Sequence, residues 1–104
     1  MLAMMRFYLK DRGGNLTGEV VVTSSTGALM LGDFAPAPHF RLYEQLFNEF
    51  EQAANDQIFV EVDRLEREIA GLGFYLVGPC PQKNRLEIED LQIMGKGVSF
   101  LFKS

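Results

Sequence analysis

The stretch FRLYEQLFNEFEQAA, Phe40 to Ala54, sets Phe40, Tyr43, Phe47, Phe50 and Ala54 at spacings of three and four. In a chain winding 3.6 residues per turn, these positions form one apolar stripe with Leu46 beside it, while Glu44, Asn48, Glu49 and Glu51 lie off it. A second stretch, IFVEVDRLEREIAGL, carries Ile58, Val62, Leu65, Ile69 and Leu72 in the same rhythm. Asp63 precedes Arg67 by four residues and Arg64 precedes Glu68 by four, each pair adding a few tenths of a kcal/mol at most. Gly71 and Gly73 bracket a natural helix stop. One continuous helix over both stretches would be about 50 Å long at 1.5 Å per residue. A compact domain of this size has a radius of gyration near 13 Å. The spacing therefore predicts a break near Asn55-Asp56-Gln57. Ile58 to Val62, rich in β-branched residues, also fits a strand.

Outward from this middle the periodicity changes to two. On the N-terminal side, Met5, Phe7 and Leu9 alternate with Arg6, Tyr8 and Lys10, the pattern of a half-buried strand. Asp11-Arg12-Gly13-Gly14-Asn15 supplies a hairpin loop. Leu16 to Ser24 returns, with Leu16, Gly18, Val20 and Val22 on one face. Ser24 to Gly27 reads as a turn and Ala28 to Phe34 as a third strand interrupted by Gly32. Pro36 and Pro38 end it, Pro38 sitting well in the first turn of a helix. On the C-terminal side, Phe74 to Val77 is extended and Gly78-Pro79-Cys80-Pro81 ends it. In Arg85 to Met94 the alternation slips between Leu86/Ile88 and Leu91/Ile93, which predicts a β-bulge at Glu89 or Asp90. Gly95-Lys96-Gly97 turns into a last strand with Val98, Phe100 and Phe102 on one face.

Terminal strands flanking a helical middle predict an α+β fold. The expected arrangement is a mainly antiparallel sheet of four to six strands, with one long or two shorter helices packed on one face, in the order β-β-(β)-α-α-β-β-β. With 104 residues, 47% apolar and 23% charged, residues 1–104 read as one domain of ordinary globular composition. The single cysteine, Cys80, cannot form an internal disulfide, which suits a reducing, cytoplasmic setting. Only five apolar residues precede Arg6, too few for a secretion signal, and no run of about 18 apolar residues marks a membrane span. A net charge of −4 argues against a general affinity for nucleic acid.

The chain carries no strong catalytic signature, and neither a cofactor nor a metal is expected. His39 is the sole histidine, and no Ser or Cys sits in a nucleophile-elbow pattern beside it. Prolines on both sides of Cys80 leave few backbone N–H groups to stabilise a thiolate, though Lys83 and Arg85 are near in sequence. One His and one Cys do not make a structural zinc site. Glu87, Glu89 and Asp90 are close in sequence, but neighbours on a strand face opposite ways. Gly13-Gly14 and Gly95-x-Gly97 match no phosphate-binding pattern and read as hairpin turns.

Charge distribution is the feature that points to function. Residues 44–90 hold eleven acids against Arg64, Arg67, Lys83 and Arg85, a net of −7; the first 43 residues total +1 and the last fourteen +2. An acidic helical face steers a basic partner toward itself. The leading expectation is a small non-enzymatic protein-binding module: an immunity-type inhibitor, an adaptor or an assembly subunit. It would meet a basic protein through Glu44, Glu49, Glu51, Glu61, Asp63, Glu66 and Glu68. The alternative is a small-molecule-binding protein or small enzyme with its site between helix and sheet, drawing on His39, Cys80 or the tyrosines. A third reading is a homodimer formed through a sheet edge or the helical stripe.

Overall fold

The computed structural model describes residues 5–78 and 85–103. Six strands, β1 (Met5–Lys10), β2 (Leu16–Thr26), β3 (Leu29–Pro36), β4 (Tyr75–Val77), β5 (Leu86–Met94) and β6 (Gly97–Phe102), enclose a core. Between β3 and β4 run a 3-10 turn (Pro38–Leu42), α1 (Glu44–Asn55) and α2 (Phe59–Gly71). All neighbouring strands are antiparallel, and their order β1-β2-β3-β6-β5-β4 closes into a barrel.

The expected open sheet with helices on one face is thus overturned. The physical reason lies in three bulges. Opposite Leu9 and Lys10, Thr17 is an extra residue on β2. Opposite Gly32 and Leu31, Thr23 is another. On β5, Asp90 and Leu91 together face the single residue Phe100. Each bulge bends its strand and adds right-handed twist, and a sheet of six strongly coiled strands curls until its edges meet. Gly18 and Gly32 let β2 and β3 curl closely. A Cβ at Gly18 would strike the Phe34 ring, and one at Gly32 would strike the Val21 carbonyl. Gly32 is therefore a required close approach within β3, where the sequence pattern alone reads an interruption.

The bulge at Thr17 also corrects one face assignment. Gly18, Val20 and Val22 are buried as the alternation predicts, but Leu16 is exposed because the extra residue between it and Gly18 reverses its side. The slip in β5 is real: Asp90 takes a left-handed backbone conformation, φ 54°, and the ladder re-enters register at Gln92.

A barrel of only six strands is filled by its own side chains. Leu9, Val20, Leu76 and Phe100 are fully enclosed, with Val22, Phe34, Ile93 and Val98 nearly so. The 3-10 turn packs on β2, and both helices pack on β5, at the end of the barrel where β3 stops and β4 begins. The turn's tighter winding resets the helical phase. Phe40 and Tyr43 precede α1, so α1 buries Phe47, Phe50 and Ala53 rather than Ala54. The break near Asn55 separates two helices, and Ile58 to Val62 enters α2 rather than a strand. Gly73, at φ 69°, ends α2 in the left-handed position that glycine fills without strain. Among the described residues no helix is long and apolar enough to cross a membrane.

Candidate functional site

The helical segment carries three features: a buried polar clasp beneath it, an excess of acids, and a groove along its edge against β5.

The clasp begins in the β1–β2 turn. Asp11 is only 4% exposed, a costly place for a carboxylate unless every lone pair is used. Its Oδ1 accepts hydrogen bonds from the Asn15 backbone N–H (3.0 Å) and side-chain amide (3.2 Å). Its Oδ2 accepts from the Tyr43 hydroxyl (2.8 Å) and from His39 Nε2 (2.9 Å). Burial pushes the Asp11 carboxyl up, but these hydrogen bonds outweigh burial and hold it down at about 2. Burial, with the Asp11 bond second, pushes the Tyr43 hydroxyl up. Because an ionised carboxylate only accepts, His39 Nε2 carries the hydrogen that Asp11 receives. Next in the chain, the Arg12 guanidinium donates to the Gly71 carbonyl at 2.9 Å and so satisfies the C-terminal end of α2. One β-turn therefore ties both ends of the helical segment to the barrel.

This clasp explains where His39 and Tyr43 go. An Asp–His pair is the orienting half of a nucleophile relay. Among the described residues, however, no Ser, Thr or Cys bonds to His39, whose hydrogen-bond partner is Asp11. Cys80 and Lys83 lie outside the described residues. Sequence reasoning missed Asp11, because Asp in a Gly-rich turn reads as a turn former. Its partners at Asn15, His39 and Tyr43 share no sequence motif with it.

The predicted partner-binding acids lie on α1 and α2. Residues 44–71 hold eight acids against Arg64 and Arg67, a net of −6. Glu44, Glu49, Asp63, Glu66 and Glu68 are exposed; Glu51 and Glu61 are half-buried. Arg64 binds Glu61 at 2.8 Å and Glu68 at 3.2 Å. Its bond to Glu61 raises the guanidinium pKa first, and the fields of Glu68 and Glu49 add to it; the same pairing lowers Glu61. Glu49 of α1 thus shares one electrostatic neighbourhood with Glu61 and Glu68 of α2. Glu44, Glu51, Asp63 and Glu66 make no ion pair among the described residues. Two of the seven acids are therefore paired locally with Arg64, and the other five make no ion pair among the described residues.

Where α1 hands over to α2, three consecutive apolar residues stand in solvent. Ile58 is 48% exposed, Phe59 69% and Val60 79%. Three adjacent side chains at a helix start fan over most of a turn, so they cannot all face one core. Ile58, assigned to the buried stripe by its spacing, lies outside the core for that reason.

The groove runs between α2 and the bulge of β5 and encloses about 310 Å³. Ile69, Phe74, Ile88 and Leu91 form its apolar floor, while Glu66, Glu89, Asp90 and Lys103 contribute its charges. It lies between helix and sheet, where the alternative reading puts a small-molecule site, but neither His39 nor any tyrosine lines it. No group of three or more potential metal ligands occurs among the described residues. No family model matches the chain, and neither a curated protein nor a solved structure matches it.

Proposed function

We propose that this chain is a small, non-enzymatic protein-binding module of a cytoplasmic setting, meeting a basic protein with the outer side of α1 and α2. The observation that carries the reading is the exposed corner Ile58-Phe59-Val60 within the acidic helical segment. Contiguous apolar residues rimmed by charge are the composition of a recognition patch. In such patches an aromatic anchor supplies most of the binding energy, and the surrounding field speeds encounter with a partner of opposite sign. Acids at Glu44, Glu49, Glu51, Asp63 and Glu66 provide that field. An inhibitor, an adaptor or an assembly subunit would all use such a face.

The test is affinity capture with the wild-type chain, washed at low and high salt, beside Phe59→Ser and the triple variant Glu44→Lys, Glu49→Lys, Asp63→Lys. A basic protein should be held at low salt, released at high salt, lost with the triple variant and weakened about tenfold or more by Phe59→Ser. Recovery of the bait alone, or a partner indifferent to the charge reversals, would overturn the reading. Light scattering on the same preparations checks the competing cover for the corner, a second copy of this chain. A dimer that Phe59→Ser dissolves would assign the corner to self-association.

A further inference from the structure

We infer that the groove between α2 and the β5 bulge is the anchor pocket for one apolar side chain of a basic partner segment. This rests on the protein-binding reading and gives it a second contact point. The groove's size decides the kind of occupant. At about 310 Å³ it stands at the bottom of the range of pockets for small ligands, roughly 300–1,000 Å³, and suits a single large side chain. Its floor of Ile69, Phe74, Ile88 and Leu91 calls for an apolar group. Its rim calls for positive charge around that group, because Glu66, Glu89 and Asp90 outnumber Lys103. A leucine, methionine or phenylalanine flanked by lysines or arginines satisfies both demands.

The backbone adds a reason for an extended segment. Among the described residues β4 pairs with β5 at Leu86 and Glu87, and α1 and α2 also pack on β5. Asp90 and Leu91 form the bulge opposite Phe100. Five consecutive residues, Ile88 to Gln92, line the groove, so it follows a stretch of extended chain through the bulge. A partner segment laid along that stretch would place one side chain down into the groove and its neighbours against the acids. Glu66 lies on α2 with Glu61, Asp63 and Glu68, so the groove adjoins the acidic helical segment.

The experiment titrates the isotope-labelled full chain, followed by amide NMR, with a synthetic heptapeptide Gly-Lys-Arg-Phe-Arg-Lys-Gly and with its Phe→Ser counterpart. The Phe peptide should shift amides of Ala70, Phe74 and Ile88 to Gln92, and the Ser peptide should bind at least tenfold more weakly. Ala70→Trp, which fills the groove from an exposed helix position, should abolish those shifts while leaving the remaining spectrum intact. Asp90→Lys should weaken the Phe peptide severalfold. Shifts confined to the outer acids, equal for both peptides and unchanged by Ala70→Trp, would overturn the groove and leave the protein-binding reading standing. Absence of any shift at millimolar peptide would overturn the groove as well. The salt-washed capture with the charge-reversed chain judges the underlying reading separately.

Discussion

Phe100 on β6 and Phe59 at the head of α2 are the same side chain in opposite settings. Phe100 is sealed inside the barrel, its ring 5.2 Å from that of Phe102 in an edge-to-face contact. Phe59 stands mostly in water beside Ile58 and Val60. The barrel closes its hydrogen bonds in a ring and encloses its apolar mass. The helical pair buries one stripe and leaves both its charges and an apolar corner outside. On the proposed reading, stability and recognition occupy different parts of the chain, and substitutions should separate them.

The largest expected effect is in the barrel. Phe100→Ala should cost about 3–5 kcal/mol, since the rigid ring around it collapses only partly into the space; urea unfolding followed by circular dichroism measures it. A loss below about 1 kcal/mol would mean the barrel interior is far looser than its packing implies.

An intermediate effect belongs to the clasp that joins the two regions. The Asp11 carboxyl sits at about 2 in the folded chain against an ordinary value of 3.8. As pH falls, the unfolded chain takes up this proton first, so acid favours unfolding. The stabilisation is complete above about pH 5, shrinks as pH drops through 4, and is gone below about 2, amounting to about 2 kcal/mol. Urea midpoints at pH 5, 4 and 3 should fall for the wild type, and Asp11→Asn should flatten that fall. Equal slopes for the two proteins would detach Asp11 from the acid response.

The smallest effect is the sharpest control. Phe59→Ser should change stability by no more than about 0.5 kcal/mol while it weakens capture of the partner. A large destabilisation would place Phe59 in the fold and remove it from the recognition patch.

Much of this molecule was legible in its sequence, and the limits have physical causes. Spacing of three and four located both helices because each buries one continuous stripe. The slip between Ile88 and Leu91 located one bulge because the extra residue moved apolar side chains to the opposite face. The bulges at Thr17 and Thr23 left no such trace, since threonine suits either side of a strand. Closure was hidden for a related reason. It depends on β4, three residues long, meeting a strand near the other end of the chain, and no local pattern announces a partner that distant. At the candidate site the acids were legible as composition. The Ile58 corner was hidden by a spacing that fits a stripe. The Asp11 clasp was hidden because its members come together only after β1, β2 and the 3-10 turn are in place.

The shortness of β4 has a consequence for how the molecule assembles. Lys10 meets Tyr75 and Tyr8 meets Val77, so this seam joins residues 65 to 69 positions apart, and contacts of such span form late because the intervening chain must first surrender its freedom. Among the described residues, three residue pairs on one side of the seam and two on the other make it the thinnest join in the wall, and amide exchange should find its protons the first to leave. A chain cut short before Tyr75 would have β1 and β2 ready and nothing with which to shut the ring.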